Sequence, residues 1–293
     1  MMKDFHVGTL ETSALKTIQG TPAEELSSTR ETFLVPNRWG IATFDSKKTL
    51  SPDTRLFTFK LDNDSQAFGL PVGQHVMLKI KDPSDSIDRS SIIRAYTPLS
   101  ETGVRGHVDV LVKVYNPTPQ FPSGGRMTMA LDRLPPGSIV EFKGPIGKFQ
   151  YLGGGNVLVN DGKRHVDRFY MICGGSGITP IFQVLRAVLQ DKKDRTVCTV
   201  LDSNRSENDI LCRVELDAFA TQHRAKCKII HTLTQPSESW TGCRGRISEN
   251  LLKQHVACQA KSMVLVCGPE PMEANVRRML LDQGWSELDL LFF

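Results

Sequence analysis

Between Trp39 and Phe149, apolar and polar residues alternate in short runs. Leu56-Phe57-Thr58-Phe59-Lys60-Leu61 is one, Val76-Met77-Leu78-Lys79-Ile80 a second, and the stretch from Val108 to Tyr115 a third. A period of two puts successive side chains on opposite faces of a strand. Glycine and proline turns separate the runs, so this half is predicted to be an antiparallel β-barrel. One helical stretch, Gly125 to Leu134, interrupts it, and Pro135-Pro136-Gly137 would stop that helix. From about Arg168 the pattern changes. Phe169-Tyr170-Met171-Ile172-Cys173 is a continuous apolar run, as expected of a parallel strand buried on both faces. The helix predicted after it has Pro180 in its first turn and Ile181, Val184, Leu185 and Val188 on one face. Further strands are predicted over 196–201, 228–233 and 263–267, and helices over 209–220, 249–256 and 272–282. That alternation implies an α/β domain with a parallel sheet.

The chain has 293 residues, which suits two domains. The patterned halves divide it into residues 36–155 and 156–293, after a lead-in over residues 1–35. Ser, Thr, Glu and Pro crowd the lead-in between Thr21 and Thr32, so it is expected to be mobile. Hydrophobic residues make up 40% and charged residues 23%, proportions of a globular protein rather than a disordered one. No apolar run approaches the length of a membrane span. The first residues lack the apolar core of a signal peptide. A net charge of +4 with scattered basic residues gives little to hold nucleic acid. All seven cysteines lie between Cys173 and Cys267, with no C-x-x-C pair, which argues against a disulfide framework or a zinc site. A reducing cytoplasm is the simplest setting. No histidine has metal-ligand spacing, and no metal site is expected.

Candidate chemistry gathers in four blocks. In Arg94-Ala95-Tyr96-Thr97-Pro98, Arg94 and Tyr96 share a strand face. A guanidinium can bind pyrophosphate by paired hydrogen bonds, and an aromatic face can lie against a flat heterocycle. A plain edge strand with a surface arginine would carry the same residues. Gly124-Gly125-Arg126-Met127-Thr128 opens the barrel's helix, where glycines admit a ligand and free amides attract phosphate. Gly174-Gly175-Ser176-Gly177-Ile178-Thr179-Pro180 follows a strand and opens a helix, the context a dinucleotide loop needs. It departs from the Rossmann pattern, with Pro180 in place of the third glycine. Cys267-Gly268-Pro269-Glu270-Pro271-Met272 repeats the arrangement at the last predicted strand.

Taken together and in this order, the four blocks resemble the ferredoxin reductase superfamily, in its cytochrome b5 reductase and nitrate reductase branch. The resemblance spans roughly residues 36–293. It implies a two-domain flavoprotein, with an FAD-binding barrel and an NAD(P)H-binding α/β domain. Hydride would pass from the nicotinamide to the flavin, and single electrons then to a b5-type haem domain, in the service of nitrate assimilation. Haem and molybdopterin would belong to domains outside this chain. Met1 to Leu10 resembles the tail of a cytochrome b5 domain. A free-standing cytochrome b5 reductase would share the chemistry, and an FAD-stabilised interaction module without activity would share the fold.

The resemblance also implies roles. Arg94 and the amides from Arg126 to Thr128, with Gly125, Met127 and the Thr128 hydroxyl, would hold the FAD pyrophosphate. Tyr96 would support the flavin ring and Thr97 hydrogen-bond it. Gly174, Gly175, Gly177, Thr179 and Pro180 would meet NAD(P)H, as would Gly268, Pro269 and Met272. Cys267 would position the nicotinamide without acting as a nucleophile. Phe293 matches the family's aromatic end. Lys113 and Tyr115 would approach both cofactors; a solvated lysine and a packed tyrosine fit the same strand. For nucleotide choice, Asp202 favours the ribose hydroxyls of NADH. Arg205 and Ser206 suit a 2′-phosphate, and Thr234 stands where NADH-specific relatives carry an aspartate. The expectation is NADPH, with NADH tolerated.

Overall fold

Six strands turn their inward side chains onto one core. They are β1 (Trp39–Ser51), β2 (Thr54–Lys60), β3 (His75–Lys81), β4 (Ser91–Tyr96), β5 (His107–Lys113) and β6 (Ile139–Ile146). The computed structural model describes residues 32–82, 91–119 and 121–293. The strands form one antiparallel sheet in the order β4-β3-β6-β1-β2-β5. Their alternation is the predicted one: in β3, Val76, Leu78 and Ile80 are buried and their neighbours are not. Phe44, Phe57, Phe59 and Phe142 meet ring to ring in the middle, with centroids 5.4–6.3 Å apart. Helix α1 (Arg126–Arg133) adds Met127, Ala130 and Leu131 to the same core. β4 and β5 are the two edges of this sheet, so the barrel has a seam between them.

Phe33 and Leu34 fall within the expected lead-in, yet they belong to the barrel core, 8% and 4% exposed. Their N–H groups donate to the carbonyls of Ala67 and Phe68. The remaining lead-in, including the stretch from Met1 to Leu10, lies outside the described residues.

A small antiparallel sheet that the pattern did not foretell follows the barrel: β7 (Phe149–Gly153), β8 (Asn156–Val159) and β9 (Gly162–His165). Tyr151 on β7 donates its hydroxyl to the Asp194 carboxylate, which also accepts the N–H groups of Gly154 and Thr196.

The second half runs β10 (Arg168–Gly174), α2 (Ile178–Gln190), β11 (Val197–Asn204), α3 (Arg213–Gln222), β12 (Cys227–Leu233), β13 (Cys243–Arg244), α4 (Glu249–His255), β14 (Ser262–Cys267), α5 (Glu270–Asp282) and β15 (Leu290–Phe292). Its sheet is parallel, in the order β13-β12-β11-β10-β14-β15. The order reverses direction at β10, and open sheets of this kind bind ligands beyond the strand ends at such a point. α3 begins later than predicted. Ser206 and Asp209 cap a short turn of their own, and Cys212 is left-handed, with φ 53°. α2 carries the contact to the barrel. Arg186 donates to the carbonyls of Leu99 and Ser100 at 2.7 and 2.8 Å, and Gln183 accepts the Gly73 N–H at 2.6 Å. Among the described residues no helix is long and apolar enough to cross a membrane.

Candidate active site

The barrel seam opens into a cleft of about 1000 Å³ that reaches the ends of β10 and β14. Both edge strands wall it: Arg94 to Thr97 from β4 and its end, and Leu111 to Lys113 from β5. Arg94 is exposed, and among the described residues its guanidinium donates only to the Ile93 carbonyl, at 2.7 Å. No carboxylate among the described residues competes for it. Tyr96 packs on the barrel core, and burial pushes its phenol far up, so it stays neutral. Thr97 is 8% exposed, and its hydroxyl has no partner among the described residues.

At the other side of the seam, Gly124 is left-handed, with φ 58°. A Cβ on Gly125 would lie 2.5 Å from the Thr128 hydroxyl, so only glycine fits there. α1 has no side-chain cap and no acidic residue in its first turn, which favours an anion at that end. The Thr128 hydroxyl is used differently from expectation. It donates to the Gly125 carbonyl and accepts the Tyr115 N–H, both at 3.1 Å. It braces the helix start rather than offering its proton to the cleft. Met127 turns its side chain into the core, leaving its backbone for the cleft.

The nucleotide loops sit opposite. Cys173 and Cys267 are register partners at the ends of β10 and β14, so the two following loops run side by side. A Cβ on Gly177 would come 2.1 Å from the Cys267 carbonyl oxygen. Met272 lies over both loops: a Cβ on Gly174 or Gly268 would meet its Sδ at 2.7 Å or its Cε at 2.3 Å. Thr179 donates its hydroxyl to the Ser176 carbonyl at 3.1 Å and closes the turn, with Pro180 buried beside it. Burial, then the Glu273 charge, pushes the Cys267 thiol up to about 12, which leaves it protonated and non-nucleophilic. Phe293 lines the cleft, held edge-on by Phe149 at 5.9 Å.

A second cleft of about 720 Å³ leads away, sharing Lys113, Tyr115, Gly174, Gly175 and Pro269 with the first. Lys113 is not solvated. Its ammonium lies 2.6 Å from Asp209 and 3.0 Å from Asp53. Burial pulls its pKa down, but the hydrogen bonds to the two acids outweigh this and hold it above the ordinary value. Arg205 and Thr234 line the far end, joined by Arg246. Sequence reasoning missed Arg246, whose signal is a second cation just past Arg244 and beyond the third parallel strand.

Two expectations are corrected at this end. Asp202 is 1% exposed and does not line the cleft. Its carboxylate accepts from Asn204 at 2.8 Å and from the Cys173 thiol at 3.4 Å, and lies 3.0 Å from His231 Nδ1. It cannot reach ribose hydroxyls without leaving that cluster. Ser206 spends its hydroxyl on Asp209 at 2.6 Å and does not line the cleft either.

Residues 42–151 match the oxidoreductase FAD-binding domain family, and residues 171–278 the oxidoreductase NAD-binding domain family. The NADPH nitrate reductase of Aspergillus niger is 53% identical over the whole chain, which spans 33% of that relative. Nitrate reductase [NADH] 1 of Zea mays is 43% identical over 82% of the chain and 40% of its own length. The chain thus spans about a third of the length of such fungal relatives. The crystal structure of the cytochrome b5 reductase domain of Ulva prolifera nitrate reductase superposes with a TM-score of 0.86. It is 34% identical, and the match covers 90% of this chain and 100% of that one. This chain belongs to the cytochrome b5 reductase domains of nitrate reductases.

This b5 reductase domain is therefore an FAD-dependent NAD(P)H oxidoreductase. Its residues fit FAD: a cation and a threonine hydroxyl that have no acid partner and no hydrogen-bond partner, respectively, among the described residues, a neutral half-buried ring and an uncapped helix start converge on one cleft. His75 of the b5 reductase domain also lines this cleft, one step beyond the β3–β4 pair Val76–Tyr96. It opens β3, directly after the turn Pro71-Val72-Gly73-Gln74.

Burial holds the His75 imidazole below its ordinary value of 6.5, so it is neutral in the folded chain near pH 7. As pH falls, the unfolded chain takes up this proton first. Stability from neutral His75 is therefore present above about pH 6.5 and lost as pH drops through that value toward the lowered one. Melting temperature should fall between pH 7.5 and 5.5, and fall less in His75→Asn. Equal slopes for the two proteins would count against this assignment.

Proposed function

We propose that this chain is the reductase portion of an NADPH-dependent nitrate reductase, passing electrons to a b5-type haem domain, with nitrate reduced elsewhere in the longer enzyme. When bound, FAD supplies a two-electron acceptor for nicotinamide hydride and a one-electron donor to haem. The observation that carries the proposal is a single cleft lined by Arg94, Tyr96 and Thr97 on one side and by Gly174 to Gly177, Cys267 and Phe293 on the other. Such a cleft holds two ring systems in one place, which makes their reaction effectively intramolecular. In this reading residues 36–155 bind FAD and residues 156–293 bind the nucleotide. Arg94 and the start of α1 hold pyrophosphate, Tyr96 supports the ring, and the Thr97 hydroxyl orients it. Thr179 and Met272 act one step back, by shaping the two nucleotide loops. The FAD-loaded chain should bleach anaerobically on addition of NADPH. It should then reduce ferricyanide or cytochrome b5, and leave nitrate untouched. Yellow protein that does not bleach would remove the reductase reading.

The NADPH preference is supported by Arg205, Thr234 and Arg246 at one end of the second cleft, with Asp202 turned away from it. Arg246 makes no ion pair or hydrogen bond among the described residues, so its charge is available to a 2′-phosphate. Thr234→Asp and Arg246→Ala should each lower kcat/KM for NADPH about tenfold or more, and for NADH far less, since a tenfold change is about 1.4 kcal/mol. A wild-type preference for NADH would overturn this choice of nucleotide.

A further inference from the structure

One carboxylate joins the two cleft loops to the barrel. Asp209 follows β11 and is 9% exposed. Its Oδ1 accepts from Lys113 Nζ at 2.6 Å. Its Oδ2 accepts the Ser206 N–H at 3.0 Å and the Ser206 hydroxyl at 2.6 Å, and Arg205 Nε lies 3.6 Å from the same oxygen. Lys113 stands on β5, and Asp53, in the turn between β1 and β2, holds it from the other side. Among the described residues, Lys113–Asp209 is the one ion pair between the barrel strands and the parallel-sheet half. The loop after β12 leans on the same turn: the Gln235 N–H donates to the Arg205 carbonyl at 2.7 Å, and the Thr234 N–H to the Asn204 carbonyl at 3.1 Å.

A bare carboxylate here would repel a phosphate at the adjoining cleft. Lys113 and the two Ser206 hydrogen bonds occupy both of its oxygens, and Arg205, 3.6 Å away and exposed, lines the cleft beside it. The same bonds fix the backbone from which Arg205 projects and against which Thr234 rests. We infer that Asp209 is a positioning residue for nucleotide selectivity, coupling the Arg205–Thr234 end of the second cleft to Lys113 at the cofactor cleft. This rests on the nucleotide-binding reading above.

The test is the ratio of kcat/KM for NADPH to that for NADH, with ferricyanide as acceptor and FAD content recorded. Asp209→Asn should lower the ratio about fivefold or more, because the selectivity turn loses its ionised cap. Asp53→Asn weakens the grip on Lys113 but leaves the Arg205 turn intact, so both nucleotides should change together and the ratio should hold. Ser206→Ala keeps the Lys113 pair and removes one bond to Oδ2. It should lower the ratio in the same direction by less, and it replaces Asp209→Asn should that variant not fold. A ratio unchanged in both Asp209→Asn and Ser206→Ala would overturn the inference, as would an equal shift in Asp53→Asn. A wild-type preference for NADH defeats only the choice of nucleotide, since the change in ratio on substitution still decides the role of Asp209.

Discussion

Arg94→Ala is expected to raise the dissociation constant for FAD about ten- to hundredfold. A charge-assisted, paired hydrogen bond contributes roughly 1.5–3 kcal/mol. Arg94 is placed to deliver that amount in full. It sits exposed on an edge strand, bonded among the described residues to one neighbouring carbonyl and to no acid. A pyrophosphate bound there would displace no ion pair among the described residues. Arg94→Lys keeps the charge but loses the fork, so its affinity should fall between the other two. Titrating apoprotein with FAD, and following the quench of flavin fluorescence, measures all three. Equal affinity across the series would remove Arg94 from the pyrophosphate site.

Gly177→Ala should be nearly as damaging, for a steric reason. Its backbone is ordinary, with φ −62°, so left-handed strain plays no part. The added methyl would lie 2.1 Å from the Cys267 oxygen and 2.5 Å from its carbonyl carbon, and neither can rotate away. Forcing apart two packed loops costs about 1–3 kcal/mol. At about 2–4 °C per kcal/mol for a domain of this size, melting should fall by several degrees. The separated loops would also misplace Cys267, so kcat/KM for the nucleotide should drop about tenfold or more. Gly103→Ala is the control, because nothing lies within 4 Å of its Cβ position. Should Gly177→Ala melt and turn over like Gly103→Ala, the loops are not in the contact described.

Features with local causes were legible in the sequence. β10 announced itself as an unbroken apolar run because both faces of its sheet are covered. The Gly174–Pro180 loop was legible because strand, turn and helix adjoin in the chain. Asp202 was misread for the opposite reason. With both faces buried, alternation along β11 cannot say which side chain meets the cleft. Its partner His231 stands directly across in the register with β12, and Cys173 on β10. That polar cluster exists only once three strands are assembled. Thr128 was misread on a smaller scale, since its Tyr115 partner comes from the segment just past β5. The β7–β9 sheet was passed over because its strands are short and half polar. Its turn was nonetheless written in Asn160-Asp161-Gly162, where both Asn160 and Asp161 are left-handed. Arg246 required the path from β12 through β13, which no local pattern predicts.

The arrangement of the cofactor cleft also sets when it can form during synthesis. Arg94 precedes Cys267 and Phe293 in the chain; these two, on the opposite wall, come from β14 and the end of β15. β14 is paired with β10, from Arg168 with Ser262 to Cys173 with Cys267, so the central strand lacks one neighbour until nearly a hundred further residues have been translated. The barrel, whose strands all precede β10, can close on the ribosome first. A nascent chain thus has the barrel wall of the cleft before the opposite one, with β10 exposing one hydrogen-bonding edge. The cleft has both of its walls only once the last two parallel strands have docked.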